Sequence, residues 1–542
     1  SDDASGYTVT LTNALGDRST MRVETLPGGE QRRTEIAPNG ATTVTVNKSD
    51  GSIVTTDARG NVTTTVFAPD PRWGVQASFV KSTTSATAAG AIFYSFTANR
   101  TLSLQDPFDV RSMRSRTESV TINGQTTTTV FDVASRTFTT TSPAGARSVT
   151  TLDAKSRVVR EETTNLAPRE YAYDAQGRVI ALLEGTGAEA RTTTFSYNAQ
   201  GLLASTTDAL GGATTYTYDD AGRLLTRTQP TGHSSSWSYD AAGNLVSSVD
   251  MQGLRTEHEY DAQNRLLATT LDPDGRAIRS EYAYDLAGNL LARLDDAGPG
   301  RPNTASRYEY IPMGGDAYAV SKAIDPLGQV TSYEYTADGQ LSRIVDPLGH
   351  ATLMTYSAQG WRNAITTPSG RTTRMTHTPT GQIASVIDPR GGRTTFSYDA
   401  AGRLATTIAG AQAIGDQPAL NQTIAYSYDV NSRVVGVTDP RGKVATRSYD
   451  RFGRLVDQRD PLGNGVALTY DALDRPILRA VGISGAETIE TAYSYDALGR
   501  LLAECTDPNG LNLCVEYRYH NNEDGDSWNP LAVVDPRGNL TN

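Results

Sequence analysis

The side chains best able to do chemistry in this 542-residue chain are carboxylates: Asp and Glu number 60, against 49 Lys and Arg and 5 His. Two carboxylates facing each other across a cleft can hydrolyse a glycosidic bond, one as acid and one as base or nucleophile. Here the aspartates recur at one place in each turn, as at Asp219, Asp240, Asp399, Asp450 and Asp496. A turn-capping role accounts for all of them. The histidines His233, His258, His350, His377 and His520 are scattered, and His258 and His377 occupy slots that hold aromatics elsewhere. They read as structural replacements. The stretch 482–485 (Gly-Ile-Ser-Gly) lacks the spacing of a hydrolase nucleophile elbow. No zinc-protease, phosphate-loop or dinucleotide fingerprint is present. No catalytic residue and no cofactor is expected.

Three further groups invite a chemical reading. The acidic loop 522–528 (Asn-Glu-Asp-Gly-Asp-Ser-Trp) offers Asp524 and Asp526 as oxygen ligands for calcium. It matches no 12-residue calcium loop, and a solvated loop is the plainer reading. Rows of tyrosine could stack sugars; the alternative is that they stack on each other across strands, at ~0.2–1 kcal/mol per pair. Cys505 and Cys514 flank the turn sequence 507–510 (Asp-Pro-Asn-Gly). They can face each other across a hairpin as a disulfide, or stand as two reduced thiols on one β unit; an exported protein would favour the bond.

The elements that carry these residues form a tandem repeat. Tyr-Asp, two or three residues, Gly, Arg or Asn, then Leu recurs, as at 218–225 and 495–502. About ten residues later comes Asp-Pro-x-Gly, at Asp325, Asp346, Asp388, Asp439, Asp460, Asp507 and Asp535. The anchors fall at Phe131, Leu152, Tyr173, Tyr197, Tyr218, Tyr239, Tyr260, Tyr284, Tyr310, Tyr335, Tyr356, His377, Tyr398, Tyr428, Tyr449, Tyr470, Tyr495 and Tyr519, most often 21 residues apart. That makes about 18 repeats, and 23 of the 26 tyrosines lie at an anchor or two positions before one.

Each repeat reads as a β-hairpin. Tyr at i and i+2 shares one face of a strand. Asp-x-x-Gly-Arg is a tight turn, with Gly222, Gly402 and Gly499 supplying positive φ. Asp219 with Arg223, Asp450 with Arg454 and Asp496 with Arg500 are spaced to bridge that turn. Leu-Leu opens the return strand, and Pro-x-Gly turns the chain again. Some 36 strands at roughly 4.8 Å each exceed what an open twisted sheet sustains, so the ribbon is expected to wind into a spiral, tube or hollow shell.

Three divisions follow: 1–67 as diverged hairpins, 68–130 as an irregular, plug-like insertion and transition, and 131–542 as the repeat array. Within the second, 68–110 breaks the rhythm and reads as a loop, plug or poorly matched insertion. A core of this length must be divided or grow in one dimension. Net charge is -11 at neutral pH, which repels phosphates and disfavours nucleic acid. No run nears the ~18 apolar residues of a membrane helix, and the opening residues show no signal peptide.

The pairing of Tyr-Asp-x-x-Gly-Arg-Leu with Asp-Pro-x-Gly resembles the RHS/YD-repeat family, strongly over 131–542 and weakly over 1–60. The family includes bacterial Rhs polymorphic toxins, the cocoon-forming components of Tc insecticidal toxins, and animal teneurins. The resemblance implies a ribbon spiralling into a hollow shell, which in toxin members encloses a C-terminal effector. The associated core and self-cleavage site of the toxins have no counterpart here, and no cleavage residues are carried over.

The expected function is therefore a non-catalytic shell or scaffold of an exported bacterial protein, secreted or at the cell surface, that encapsulates or displays a toxin or surface module. Its partners would be an enclosed effector or flanking domains of the same polypeptide. The alternatives are a subunit that polymerises into a fibre through terminal strands, near 8–11 and 533–541, and a glycan-binding adhesion module.

Overall fold

Strand formation follows from the alternation of Thr, Val, Ser and Tyr with turn residues every five to ten positions. In the computed structural model, the described residues are 6–295, 305–313, 317–412, 419–482, 488–519 and 532–541, with the backbone alone of 2–3, 304, 314, 521–522 and 525–526. Asp524, the Asp526 side chain, His520 and Ser484 lie outside them.

The fold is an all-β ribbon. Consecutive strands pair antiparallel in a sheet of 47 strands. Among the described residues, helix is confined to two single 3-10 turns, Val110–Ser112 and Gly187–Glu189. Each repeat is a hairpin: Ala213–Tyr218 pairs with Leu224–Thr228, which pairs in turn with Ser234–Tyr239. The register slips by one residue just before the anchor, between Thr217 and Tyr218. That bulge recurs at Tyr173, Tyr197, Tyr239, Tyr449 and Tyr495. It tightens the local twist.

Two compact units divide the chain. One comprises 1–134, 140–145 and 280–425; the other comprises 135–139, 146–279 and 426–542. Each therefore joins an earlier and a later stretch of the ribbon, a division that sequence periodicity does not mark.

Residues 68–110, expected as a loop, plug or insertion, are sheet instead. Gly74–Ala86 and Ile92–Leu104, 13 residues each, are the longest strands described. Residues 75–86 hold no Gly, Pro, Asn or Asp and are rich in Val, Thr, Ser and Ala, so the strand continues until the turn at Gly90. Within the segment only 71–73, the turn 87–91 and the residues from 105 onward leave the ladder.

Among the described residues a buried apolar core is nearly lacking: the buried hydrophobic residues there are Ala98, Ala268 and Ala532, and the largest side chain withdrawn fully from solvent is Ser385. The accessible area is 30936 Å², where a compact protein of this mass exposes about 19,000 Å². Cohesion must come from the backbone ladder and from whatever joins one hairpin to the next.

Candidate functional site: the turn rows of the ribbon

The sequence repeats most strictly at the turns, and there the structure places its polar chemistry. In the turn 219–223, Gly222 adopts φ 81°. Its N–H donates to the Asp219 carbonyl at 3.0 Å, and the Asp219 N–H donates to the Arg223 carbonyl. Asp219 Oδ1 accepts from the Ala221 and Arg223 amides, while Oδ2 takes the Arg223 guanidinium at 2.6 Å. Asp450–Arg454 and Asp496–Arg500 repeat the bridge at 2.7 and 2.6 Å. Gly402 and Gly499 share the left-handed backbone, with φ 78° and 84°. Asn264, Ser432 and Asp474 hold the same slot at φ 61°, 65° and 64°. Asn and Asp bear that conformation better than most residues.

The arginine then reaches the next repeat. Arg223 lies 4.9 Å from the Tyr239 ring centre and donates to the Asp240 carbonyl at 2.8 Å. Arg157–Tyr173, Arg178–Tyr197, Arg433–Tyr449, Arg454–Tyr470, Arg475–Tyr495 and Arg500–Tyr519 stack alike, at 4.4 to 4.8 Å. The anchor hydroxyl points back: Tyr470 donates to the Leu455 carbonyl at 2.7 Å and Tyr495 to that of Pro476 at 2.7 Å. Tyr260, Tyr335 and Tyr398 do the same toward Leu245, Val320 and Ile383. This corrects the expectation that the rings stack on one another: at these seven positions a guanidinium covers one face of the ring. Trp361 stands at the arginine slot of one repeat and His377 at the tyrosine slot of the next. Their rings lie 5.4 Å apart, so the degenerate anchor is half of a substituted pair. Burial holds the His377 and His258 imidazoles below the ordinary histidine range.

Several turn carboxylates, Asp153, Asp219 and Asp261 among them, are held below the usual aspartate range. For Asp153, Asp219 and Asp261 the largest cause is the backbone N–H of Arg157, Arg223 and Arg265, joined by the same residue's side chain. A depressed folded pKa adds stability that is present above the unfolded value, roughly 3.9, and is lost as pH falls through the folded one. Thermal unfolding followed from pH 7 downward should therefore hold level to about pH 4 and then fall steeply. A level melting temperature down to pH 2 would refute the turn network as a source of stability.

The Asp-Pro-x-Gly turns have the same geometry. Gly328 donates to the Asp325 carbonyl, and Asp325 Oδ1 accepts from the amides of Leu327 and Gln329. The turn at Asp507 departs from it: Asp507 and Asn512 take positive φ, and the Asn512 amide closes on the Asp507 carbonyl at 2.8 Å. This wider loop sets Cys505 opposite Cys514 in register, with their sulfurs bonded. Reduction should cost at most ~2–3 kcal/mol, as expected for a small closed loop. Thiol titration of the native, unreduced protein is expected to find no free cysteine, and two free thiols would refute the bridge.

Because every strand reverses the chain, Tyr-Asp turns lie along one edge of the ribbon and Asp-Pro turns along the other. In each unit the Asp-Pro edge of the earlier stretch meets the Tyr-Asp edge of the later one. In the first unit, Tyr318 donates to Asp17 at 2.6 Å, Asn39 donates to the Ala337 carbonyl, Arg59 pairs with Asp338 at 2.8 Å, and Phe93 meets Trp361 edge-on at 6.0 Å. In the second, Asn431 donates to the Thr164 carbonyl, the Ala167 amide donates to the Arg451 carbonyl, and Arg191 pairs with Asp474 at 2.6 Å while lying over Phe452. Sequence reasoning missed these contacts. Their one trace is departure from the repeat, as at Trp361, Phe452 and Asp474.

Comparison with known proteins agrees with this architecture. A family model described as teneurin YD-shell matches residues 1–251, and one described as RHS repeat matches 239–277, 320–350, 335–372, 377–413 and 449–485. The crystal structure of TcdB2-TccC3 is similar in fold, at 14% identity and TM-score 0.56, over 96% of this chain and 36% of that one. The Photorhabdus luminescens Tc holotoxin pore, with a TccC3 mutation, aligns at 13% identity and TM-score 0.43, over 94% of this chain and 32% of that one. The chain thus spans about a third of the length of these two structures. No curated protein matches the sequence.

Proposed function

The chain belongs to the RHS/YD-repeat family, and on that premise we propose that it is wall material: a non-catalytic stretch of shell in an exported bacterial protein, enclosing a toxin effector or carrying a surface module. The observation that carries this reading is the stacking of ribbon on ribbon. In both units an earlier stretch receives a later one at nearly constant separation, from 267 residues between Thr164 and Asn431 to 305 between Asn13 and Tyr318. A ribbon that meets itself at a fixed interval makes a continuous wall, and winding leaves it few exposed strand edges. The turn aspartates are committed to amides and arginines, which favours a structural role over catalysis. The anchor tyrosines spend a ring face and a hydroxyl on their neighbours, which favours a wall over a sugar-stacking surface.

The test is electron microscopy and limited proteolysis of the native polypeptide that contains this chain. Hollow particles, with an internal segment cut only after the wall is unfolded, are the expected result. Regular filaments would replace the proposal with a polymerising subunit, and retention on immobilised glycans with an adhesion module.

A further inference from the structure

The second unit holds a cavity of about 980 Å³ where its earlier and later stretches meet. Departures from the repeat converge on it. The step from Tyr173 to Tyr197 is 24 residues rather than the usual 21, and the extra length forms the 3-10 turn Gly187–Glu189, part of which lines one side. The slot two positions before the anchor holds Phe195, Tyr216, Trp237, Phe396 and Tyr426 in other repeats. In the two repeats that line the cavity it holds Arg447 and Leu468 instead. Space that a ring fills elsewhere is left open there.

The charges on its walls do not balance. Asp429, Asp450 and Asp471 are each paired within their own turn, to Arg433, Arg454 and Arg475. Arg191 is paired to Glu184 and Asp474. Glu189 and Arg451, both exposed, carry opposite charges. Arg447 is left over. It is half-buried and has no hydrogen-bond, ion-pair or ring partner among the described residues. The residue opposite it on the next strand is the neutral Gln458. Two positions along the same strand face, Arg433 lies 4.6 Å from the Tyr449 ring centre and leaves its Nη1 buried without a hydrogen bond. Arg223, Arg454 and Arg475 spend that nitrogen on the Asp carbonyl of the next repeat. A buried donor without an acceptor is costly, and an anion in the cavity would supply one.

We propose that this cavity binds a small organic monoanion, a carboxylate on an apolar body, with Arg447 as its counter-charge and Arg433 Nη1 as a second donor. One unbalanced positive charge matches one carboxylate, and the planar guanidinium fork matches its geometry. Val435, Val456 and Leu468 give the apolar body a wall to lie on. The volume falls within the range of small-ligand sites, about 300–1,000 Å³. Inorganic phosphate, with more charge and no apolar part, uses neither feature fully. The proposal stands independently of the reading of the chain as wall.

The test is calorimetric titration of the full chain with octanoate, with octanamide and inorganic phosphate as controls. Octanoate is expected to bind with a Kd of about 1 mM or tighter, and both controls at least about tenfold more weakly. Arg447→Gln should weaken octanoate binding about tenfold or more, because hydrogen bonds to a charged group are lost. Arg447→Phe places in the slot the ring that Phe195 and Phe396 carry in theirs, and should abolish binding. Both variants should keep the parent melting temperature, since Arg447 has no partner to lose. Glu189→Gln, which removes an unpaired negative charge from the lining, should tighten binding about twofold. Octanamide binding as well as octanoate, binding that survives Arg447→Phe, or no binding up to about 10 mM octanoate overturns the proposal. So does a preference for phosphate. A preference for an acetylated Leu-Glu dipeptide amide over octanoate would give the cavity to an acidic side chain of a polypeptide, and overturns the small-molecule assignment.

Discussion

Gly402→Val and Gly499→Val should each destabilise their part of the ribbon by about 2–3 kcal/mol, and Gly222→Val by a similar amount. Each glycine holds φ near 80°, where a β-branched side chain is strained by roughly 1–3 kcal/mol. Each also donates the amide that closes its turn, to Asp399, Asp496 and Asp219 respectively. At Gly402 an added Cβ would also meet the Gln125 amide, but that side chain can swing aside, so strain dominates. Tyr398→Phe and Tyr495→Phe are the matched controls. They remove hydroxyls bonded to the Ile383 and Pro476 carbonyls at 2.9 and 2.7 Å, worth about 1 kcal/mol each. A repeat array need not unfold in one step, so amide exchange of the affected hairpins should be read beside global denaturation. Equal losses for the two classes would undo the assignment of these turns.

Arg500→Ala should cost about 3 kcal/mol, more than any other single arginine of the row. Its side chain is only 5% exposed, it pairs with Asp496 at 2.6 Å, and it lies 4.5 Å from the Tyr519 ring centre. Truncation leaves a largely buried carboxylate without its counterion, the situation in which breaking a pair is expensive. Arg500→Lys should restore little, because an ammonium cannot fork to the carboxylate and stack on the ring together. Arg223→Ala is the contrast: the same bridge and the same stacking, but with the arginine 32% exposed, so about 1 kcal/mol is expected. Exchange rates in strands Leu501–Thr506 and Leu513–Arg518 should report the first loss. A similar cost at both arginines would mean that burial does not set the value of this network.

The acid lability expected of the turns, the glycine strain and the arginine contrast all concern one five-residue motif. That motif could be read from sequence because its physics is local. Asp219, Gly222 and Arg223 are close along the chain in any conformation that turns there. The spacing from anchor to anchor then dictates hairpins in an antiparallel ribbon. The bridging of Asp to Arg and the left-handed glycines needed nothing beyond the repeat itself.

Residues 68–110 lack the motif but keep the β-forming composition, and their ladder continues on strand propensity alone. The tyrosine rings were assigned to one another because i and i+2 share a face. Which group covers that face depends on how far the preceding turn leans over, and the guanidinium arrives first. His377 could be recognised as a degenerate anchor, but not as the partner of Trp361, since only their stacking in space ties the two departures together.

The sequence by itself determined the strands, the two kinds of turn, the direction of the ribbon and the family, because each depends on residues within about one repeat of each other. Only the tertiary structure decided which turn meets which. The partners of Asn39, Arg59, Phe93, Arg191 and Asn431 lie more than 250 residues away. Their meeting depends on twist and bulges accumulated over some two dozen strands. A small change in twist at each strand, too slight to show in any one repeat, would bring a different pair of turns together.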